Sequence, residues 1–387
     1  MATQWSRALL LLVVCLGSSA SAMAQSETPP QYFFGAEYLL WNTRAQTLPT
    51  LVTSGPVTDP VPAALGQGTT RVLLDGKDTA GALQSGFRVN MGLGIDPEQV
   101  SALDVSFFFI GDASSSRTFA SAGDTNSPVL GRPFFNTSTG FEDTDPIAIP
   151  GITSGRIQVT SARRLFGSDI NYRYQYYNSQ DTRLTLLFGG RYLELQDSVG
   201  IHEDTMDLPS VDVVGNPVTG NKFSFREDYR TANRFFGGQV GAEYGVRVGP
   251  VLVLTTGKVA FGSMNQTYTS SAFSSVTDAT GVVTTSSDRA LLLSPGNVGR
   301  FSASRFAVAS EAGLKVILDL NENLKFTIGY SGMIVSNVAR AADQIDRNAT
   351  VQPIGISDTF GPAPQTPRLR DSQFWAHGLD VGLGFAF

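Results

Sequence analysis

Cysteine and histidine are almost missing from the chain: Cys15, His202 and His377 are their only occurrences in 387 residues. Cys15 lies in an N-terminal segment laid out as a signal peptide, so the mature protein is expected to form no disulfide and no thiolate metal site. Long apolar runs are missing too. Nothing approaches the ~18 consecutive apolar residues of a spanning helix, which excludes a helical membrane protein. Basic charge is in deficit, with Lys+Arg 28 against Asp+Glu 34, so no nucleic-acid partner is expected. The sequence contains no Gly-rich phosphate loop and no zinc spacing.

What stands at the N-terminus is Arg7, an apolar run from Ala8 to Leu16, and a small-residue tail ending Ala22-Met23-Ala24. The run is too short to span a membrane, and cleavage is expected after Ala24. Residues 1–24 are then a signal peptide and residues 25–387 the mature domain. Formal charge moves from −6 to −7 as Arg7 leaves.

The mature chain is rich in residues that suit strands and turns, with 40 Gly, 25 Phe and 11 Tyr among abundant Ser, Thr and Asn. A soluble β-sandwich shares that composition, so the decision rests on which face of each strand is apolar. Ten segments alternate with period two. Phe87, Val89, Met91, Leu93 and Ile95 are interleaved with Arg88, Asn90, Gly92 and Gly94. Phe236, Val240, Ala242, Tyr244, Val246 and Val248 are opposed by Gln239, Gly241, Glu243 and Arg247. The same pattern runs through Phe306–Val316 and Leu324–Tyr330. Less regular segments lie at Tyr32–Trp41, Leu103–Gly111, Ile157–Tyr174, Leu184–Leu195, Val251–Gly262 and Trp375–Phe387. In Ile157–Tyr174 the apolar parity switches between Val159 and Ile170, which predicts a bulge near Arg163 and Arg164.

Spacing adds a second pattern. Tight turns are expected at Asp96–Gln99, Tyr177–Asp181, Gly249-Pro250 and Leu320–Asn323. They alternate with five long polar connections near 44–84, 112–154, 197–233, 263–302 and 338–372, read as loops without regular structure. This alternation predicts an all-β fold: a closed antiparallel transmembrane β-barrel in the outer membrane, with short periplasmic turns, long extracellular loops and both termini periplasmic. Ring closure is needed because hydrocarbon offers no partner to an open strand edge. About ten strands are expected. Twelve is the alternative, since Arg71–Asp75 and Phe223–Tyr229 alternate well enough to be further strands or extensions. The last strand ends in Phe385 and Phe387, resembling the C-terminal signal read by the barrel-insertion machinery. Outer-membrane lipid and that machinery are the expected partners of a monomer.

Several segments carry a family resemblance. Gly35-Ala36-Glu37-Tyr38-Leu39-Leu40-Trp41, Ser106-Phe107-Phe108-Phe109-Ile110-Gly111, Ser127–Asn136, Phe236–Gly241, Ser294–Arg300, Asp343–Arg347 and Phe374–Leu379 resemble the β-barrel porins typical of planctomycete outer membranes. Gly332-Met333-Ile334-Val335 departs from the aromatic residues expected there. The resemblance implies passage of solutes; a barrel alone does not establish a pore.

Inward parity collects Arg88, Glu243, Arg247, Lys258, Glu311, Lys315 and Asp380, with Glu37 and Asp104 as companions. Such charges either set the selectivity of a polar lumen or pair with one another to fill a narrow one. If they are cross-paired, replacing Arg247 and Lys315 by Ser should open a cation-preferring path. On the outside, an arginine at Ala242 should be harmful, and one at Gly241 better tolerated. His202, beside Glu203 and Asp204, reads as a solvated loop residue. The acidic groups at Glu142, Asp143 and Asp145, and at Glu203, Asp204 and Asp207, lack Ca²⁺-loop spacing. No catalytic, cofactor or metal site is expected. The leading reading is a narrow passive pore for small polar solutes, and its rival a structural or adhesive surface protein whose loops carry recognition. A third class, an outer-membrane hydrolase, would need a nucleophile beside His202 or His377 at the rim.

Overall fold

A computed structural model describes residues 32–77, 83–98, 100–211, 217–218, 220–350 and 368–386. The signal peptide, its cleavage site and Phe387 lie outside the described residues. Ten long strands, β1 (Tyr32–Thr43), β2 (Leu83–Gly94), β3 (Ser101–Ser121), β4 (Thr153–Asn178), β5 (Thr182–Asp207), β6 (Lys222–Val248), β7 (Val251–Thr277), β8 (Gly299–Asp319), β9 (Leu324–Ala339) and β10 (Asp371–Ala386), pair antiparallel in chain order. β1 pairs β10, from Phe33↔Ala386 to Thr43↔Ala376, so every strand has two neighbours and the sheet is a ring.

The stagger of that ring follows from the register. From Tyr38, paired residues lead through Val381, Ile328, Val316 and Val253 to Val246 on β6. In the other direction they lead through Phe87, Phe109, Phe166 and Glu194 to Arg234 on the same strand. The difference, 246 − 234, is a shear of 12. With strands ~4.8 Å apart and ~3.3 Å per residue, ten strands then tilt by about 40° on a radius of about 10 Å. A cylinder that narrow can be filled by side chains meeting across it.

The tight turns stand where the sequence puts them. Gly249 opens the two-residue turn before Pro250 at φ 59, as a type II′ hairpin requires at its first central position. Asp96 accepts the backbone N–H groups of Val100 and Ser101 at 2.8 and 2.6 Å. Asn321 does the same for Asn323 and Leu324, the local hydrogen bonding that favours Asp and Asn in turns. All four turns and both strand termini lie at one end, the short-turn end.

The opposite end departs from expectation. β4, β5, β6 and β7 run for 26, 26, 27 and 27 residues, far beyond the ~9–11 that a spanning strand needs. Much of what reads as loop, including Phe223–Tyr229, is strand. Arg71–Lys77 joins a separate five-stranded sheet with Thr47–Gly55, Val129–Asn136, Phe141–Ala148 and Asn348–Ala349. The ring thus has ten strands, and a folded loop sheet replaces the expected structureless connections.

The outward face shows where lipid ends. On β6 the exposed residues Phe236, Val240, Tyr244 and Val248 give way to Arg234, Arg230, Asp228 and Arg226. Twelve residue steps at a 40° tilt span about 30 Å, a bilayer core. On β5 the change falls between Tyr192 and Glu194, and on β7 between Phe261 and Ser263. Tyr192 packs between Phe166 and Phe236 at ring-centroid distances of 6.0 and 4.7 Å, forming an aromatic girdle at that boundary.

The predicted bulge on β4 is not found. The odd residues of β4 from Ile157 to Asn171, including Val159, Arg163, Leu165 and Asp169, face inward and are buried. The register shift opposite Arg163 and Leu165 sits instead on β3, between Ile110 and Ala113, and β4 has its own shift only near the short-turn end, between Gln175 and Tyr177. What switches along β4 is chemistry: within the membrane the outer face is apolar because lipid touches it, and beyond the membrane the inner face is apolar because the loop sheet packs on it.

Candidate functional site

The inward face of β5 samples the lumen from end to end. Thr185, Arg191, Leu193, Leu195, Asp197, Val199, Ile201, Glu203 and Thr205 are all at least nine-tenths buried. Their sequence describes a stack: a charged layer, an apolar layer, a buried ion pair, a second apolar layer and a second buried charge cluster.

At the short-turn end is a vestibule of about 460 Å³ that reaches the turn residues Ser179, Gln180 and Asp181. Its walls are cross-paired. Arg88 reaches Glu37 at 3.3 Å, Asp380 at 3.5 Å and Glu311 at 3.7 Å. Trp41 Nε1 donates to Asp380 at 2.8 Å, and Ser331 also donates to it. Lys315 pairs with Glu37. Lys258 lies 3.2 Å from Asp169 and 3.6 Å from Glu311, and both of these carboxylates also receive Arg191. Glu243 pairs with Arg173, which reaches Asp104 at 3.5 Å. At the mouth, Arg247 and Lys325 share Asp319 at 2.5 and 2.7 Å. Charges held in this poorly solvated space are tolerable where, as in these pairs, each meets a partner.

Sequence reasoning places Arg88, Glu243, Arg247, Lys258, Glu311, Lys315 and Asp380 inside, and here they all lie on the inward face or at its mouth. It misses Arg191, Asp169, Arg173 and Asp319. Carrying odd parity unbroken through β4 and β5 would have found the first three; Asp319 reads as the edge of a turn. Gly241 is not open space. A Cβ there would meet the Gly257 carbonyl at 2.6 Å and Lys258 Cγ at 2.8 Å, so the expected tolerance of an arginine at 241 is withdrawn.

Above the vestibule nine of the ten strands contribute to an apolar layer, with Trp41, Phe108, Leu165, Phe235, Met264, Met333 and Phe374 among its members. A void of about 10 Å³ lies within it, room for no more than about one water molecule. Next comes Asp197, paired with Arg163 at 3.2 Å and with Arg340, all nearly without solvent contact. The second apolar layer joins Leu48, Val52, Leu130, Phe134 and Ile345 from the loops to Ile157, Ile201, Tyr229 and Tyr268 from the strands. The loop sheet is therefore packed into the barrel's extended end.

Within that packing, Arg132 reaches Glu227 at 2.7 Å and Glu203 at 3.5 Å. Glu203 is thus a buried strand residue, contrary to its reading as part of a solvated loop. Burial, with repulsion from Asp145, holds its carboxyl well above the usual range. Burial also pushes Asp145 up to about 6, against the pull of Arg132. The neighbouring Asp204 faces outward to Arg156 and Lys222 at 2.7 and 3.4 Å. Glu142 pairs with Arg347 and Asp143 with Asn136, so neither acidic run gathers into one cluster.

The chain matches the family model described as "Putative beta barrel porin-7" over residues 33–387. No curated protein matches the sequence. Among solved structures it is similar to the outer membrane protease OmpT of Escherichia coli, at 10% identity and a TM-score of 0.39, covering 94% of this chain and 99% of that one. It is also similar to the toluene transporter TodX of P. putida, at 6% identity and a TM-score of 0.20, covering 93% and 91%. A Pseudomonas aeruginosa FadL homologue matches at 8% identity and a TM-score of 0.21, covering 92% and 90%.

Proposed function

The chain belongs to this family of β-barrel porins, and from that premise we propose that it is a monomeric outer-membrane barrel whose vestibule admits small polar solutes while the lumen beyond is shut at rest. The short-turn end, with both termini, faces the periplasm in this reading, and the extended strands project outside. The observation that carries it is the apolar layer across the lumen, backed by the packed loop sheet. A polar solute crossing that layer would lose its hydration without compensating hydrogen bonds. Passage therefore needs a rearrangement of the apolar layer as well as of the loop sheet above it. Pairing of all ten strands within one ring supports a monomer, since no strand edge calls for a second copy.

A non-enzymatic role agrees with the histidines, which face away from the lumen. His377 stacks on Trp375 with centroids 5.0 Å apart, on the lipid side, and His202 points outward from β5. The rival reading, a surface protein whose loops carry recognition, draws on the same loop sheet, which is ordered enough to hold a binding surface.

Planar-bilayer recording separates the two readings. The wild type should show little or no steady conductance, and deletion of the hairpin 129–148 combined with Trp41→Ala/Phe235→Ala in the apolar layer, with the barrel still showing a heat-dependent shift on gels, should give discrete channels. Large open channels in the wild type would overturn the shut state. A combined variant that folds and stays silent would favour the surface-protein reading.

A further inference from the structure

Arg183 stands apart from the other cations of the vestibule. Arg88, Arg173, Lys258 and Lys315 each have a carboxylate within ion-pair distance, whereas no ion pair or hydrogen bond of the Arg183 side chain occurs among the described residues. The nearby carboxylates are already engaged. Glu243 is held by Arg173, and Asp319 is shared by Arg247 and Lys325. The side chain is half-buried, lines the cavity and sits in the field of Glu243 first, then of Arg173, Arg247 and Asp319, with neither of these carboxylates within ion-pair distance of it.

The wall beside it is shaped to hold it. Gly245 faces inward next to Arg183, and a Cβ there would lie 3.0 Å from both Cγ and Nε of the arginine and 3.2 Å from Leu252 Cδ1. The missing side chain at 245 lets Arg183 lie along the wall, where any Cβ would displace it.

We propose that the vestibule binds a small anionic solute, carrying a carboxylate or phosphate group, with the guanidinium of Arg183 as its primary contact and Arg173 and Arg247 raising the local potential. A planar guanidinium with no hydrogen bond or close ion pair of its own offers a bidentate donor pair to such a group, and cations lining a narrow lumen select for anions. The vestibule volume lies within the range of small-molecule sites.

The proposal rests on the vestibule being accessible to solutes, but not on the barrel conducting. Calorimetric titration of the full mature protein in detergent at low ionic strength tests it, with succinate and inorganic phosphate as probes and choline chloride as the cation control. One or both anions should give saturable heat and choline none; which of the two binds identifies the group recognised. Arg183→Gln should weaken binding by about tenfold or more, and Gly245→Ala, which moves the side chain without removing its charge, should weaken it less. A heat-dependent gel shift certifies each variant as folded. Absence of saturable binding by both anions in the wild type, or unchanged affinity in Arg183→Gln, would overturn the proposal. Failure of the shut-lumen reading shows instead as conductance, a separate measurement.

Discussion

Two neighbouring positions on paired strands feel opposite solvents. Ala242 on β6 faces outward midway between Phe236 and Val248, and its cross-strand partner is Gly257. Beside them, Thr256 on β7 faces the vestibule opposite Glu243. An arginine at 242 meets hydrocarbon and should cost about 2–4 kcal/mol. At 256 it meets water and a carboxylate, and the loss should be under about 1.5 kcal/mol. Unfolding in denaturant from detergent micelles measures both, and equal losses would show the register to be wrong. Alternation in the sequence was enough to orient β6 and β7 here. It was not enough at Gly241, because period-two patterning tells which face a residue takes and nothing of how closely the adjacent strand's Lys258 side chain crosses it. Arg191, Asp169 and Arg173 escaped for a related reason: on β4 and β5 the apolar residues change faces at the membrane boundary, which mimics a bulge.

At the scale of elements, the loop sheet behaves as a plug held partly by Arg132. Removing that guanidinium, as in Arg132→Gln, takes from the buried Glu227 its ion-pair partner and should weaken the sheet's docking by about 3–5 kcal/mol. Limited proteolysis should then cut within residues 44–82 or 122–152 while the membrane strands survive. The same cluster sets a pH dependence. Glu203 lies well above its usual value and Asp145 is pushed up to about 6, while both titrate near 4 when the sheet is released. Between those values the docked form binds more protons, so docking is strongest at low pH and loses stability as pH rises through about 6. Protease resistance of the loop sheet should therefore be greater at pH 5 than at pH 7.5. The reverse order, or no difference, would show that these carboxyls are not held as the packing indicates. None of this was legible beforehand, because the loop sheet is built from residues far apart in sequence, such as Val52, Leu130 and Ile345, whose apolar character only makes sense once they meet Ile157 and Ile201.

For the whole molecule, the stacking of layers changes what controls flow. If wall charges alone closed the lumen, replacing Arg247 and Lys315 by Ser would open a cation path. Both residues, however, lie on the short-turn side of the apolar layer, where their partners Asp319 and Glu37 also sit. The double variant should widen the vestibule and shift its binding toward cations, yet remain electrically silent in a bilayer. Opening requires the apolar layer itself. Trp41 and Phe235 are completely buried there, and truncating each to Ala removes about 3–5 kcal/mol of packing and leaves space that the adjoining charged residues can hydrate. A Trp41→Ala/Phe235→Ala variant, verified as folded by its heat-dependent gel mobility, should therefore flicker between silent and conducting levels more often than Arg247→Ser/Lys315→Ser. Its openings should remain brief, because the loop sheet still stands above the breach, and should lengthen when the hairpin 129–148 is also deleted. Steady conduction by the charge variant, with silence from the aromatic one, would place the barrier in the vestibule and not in the apolar layer.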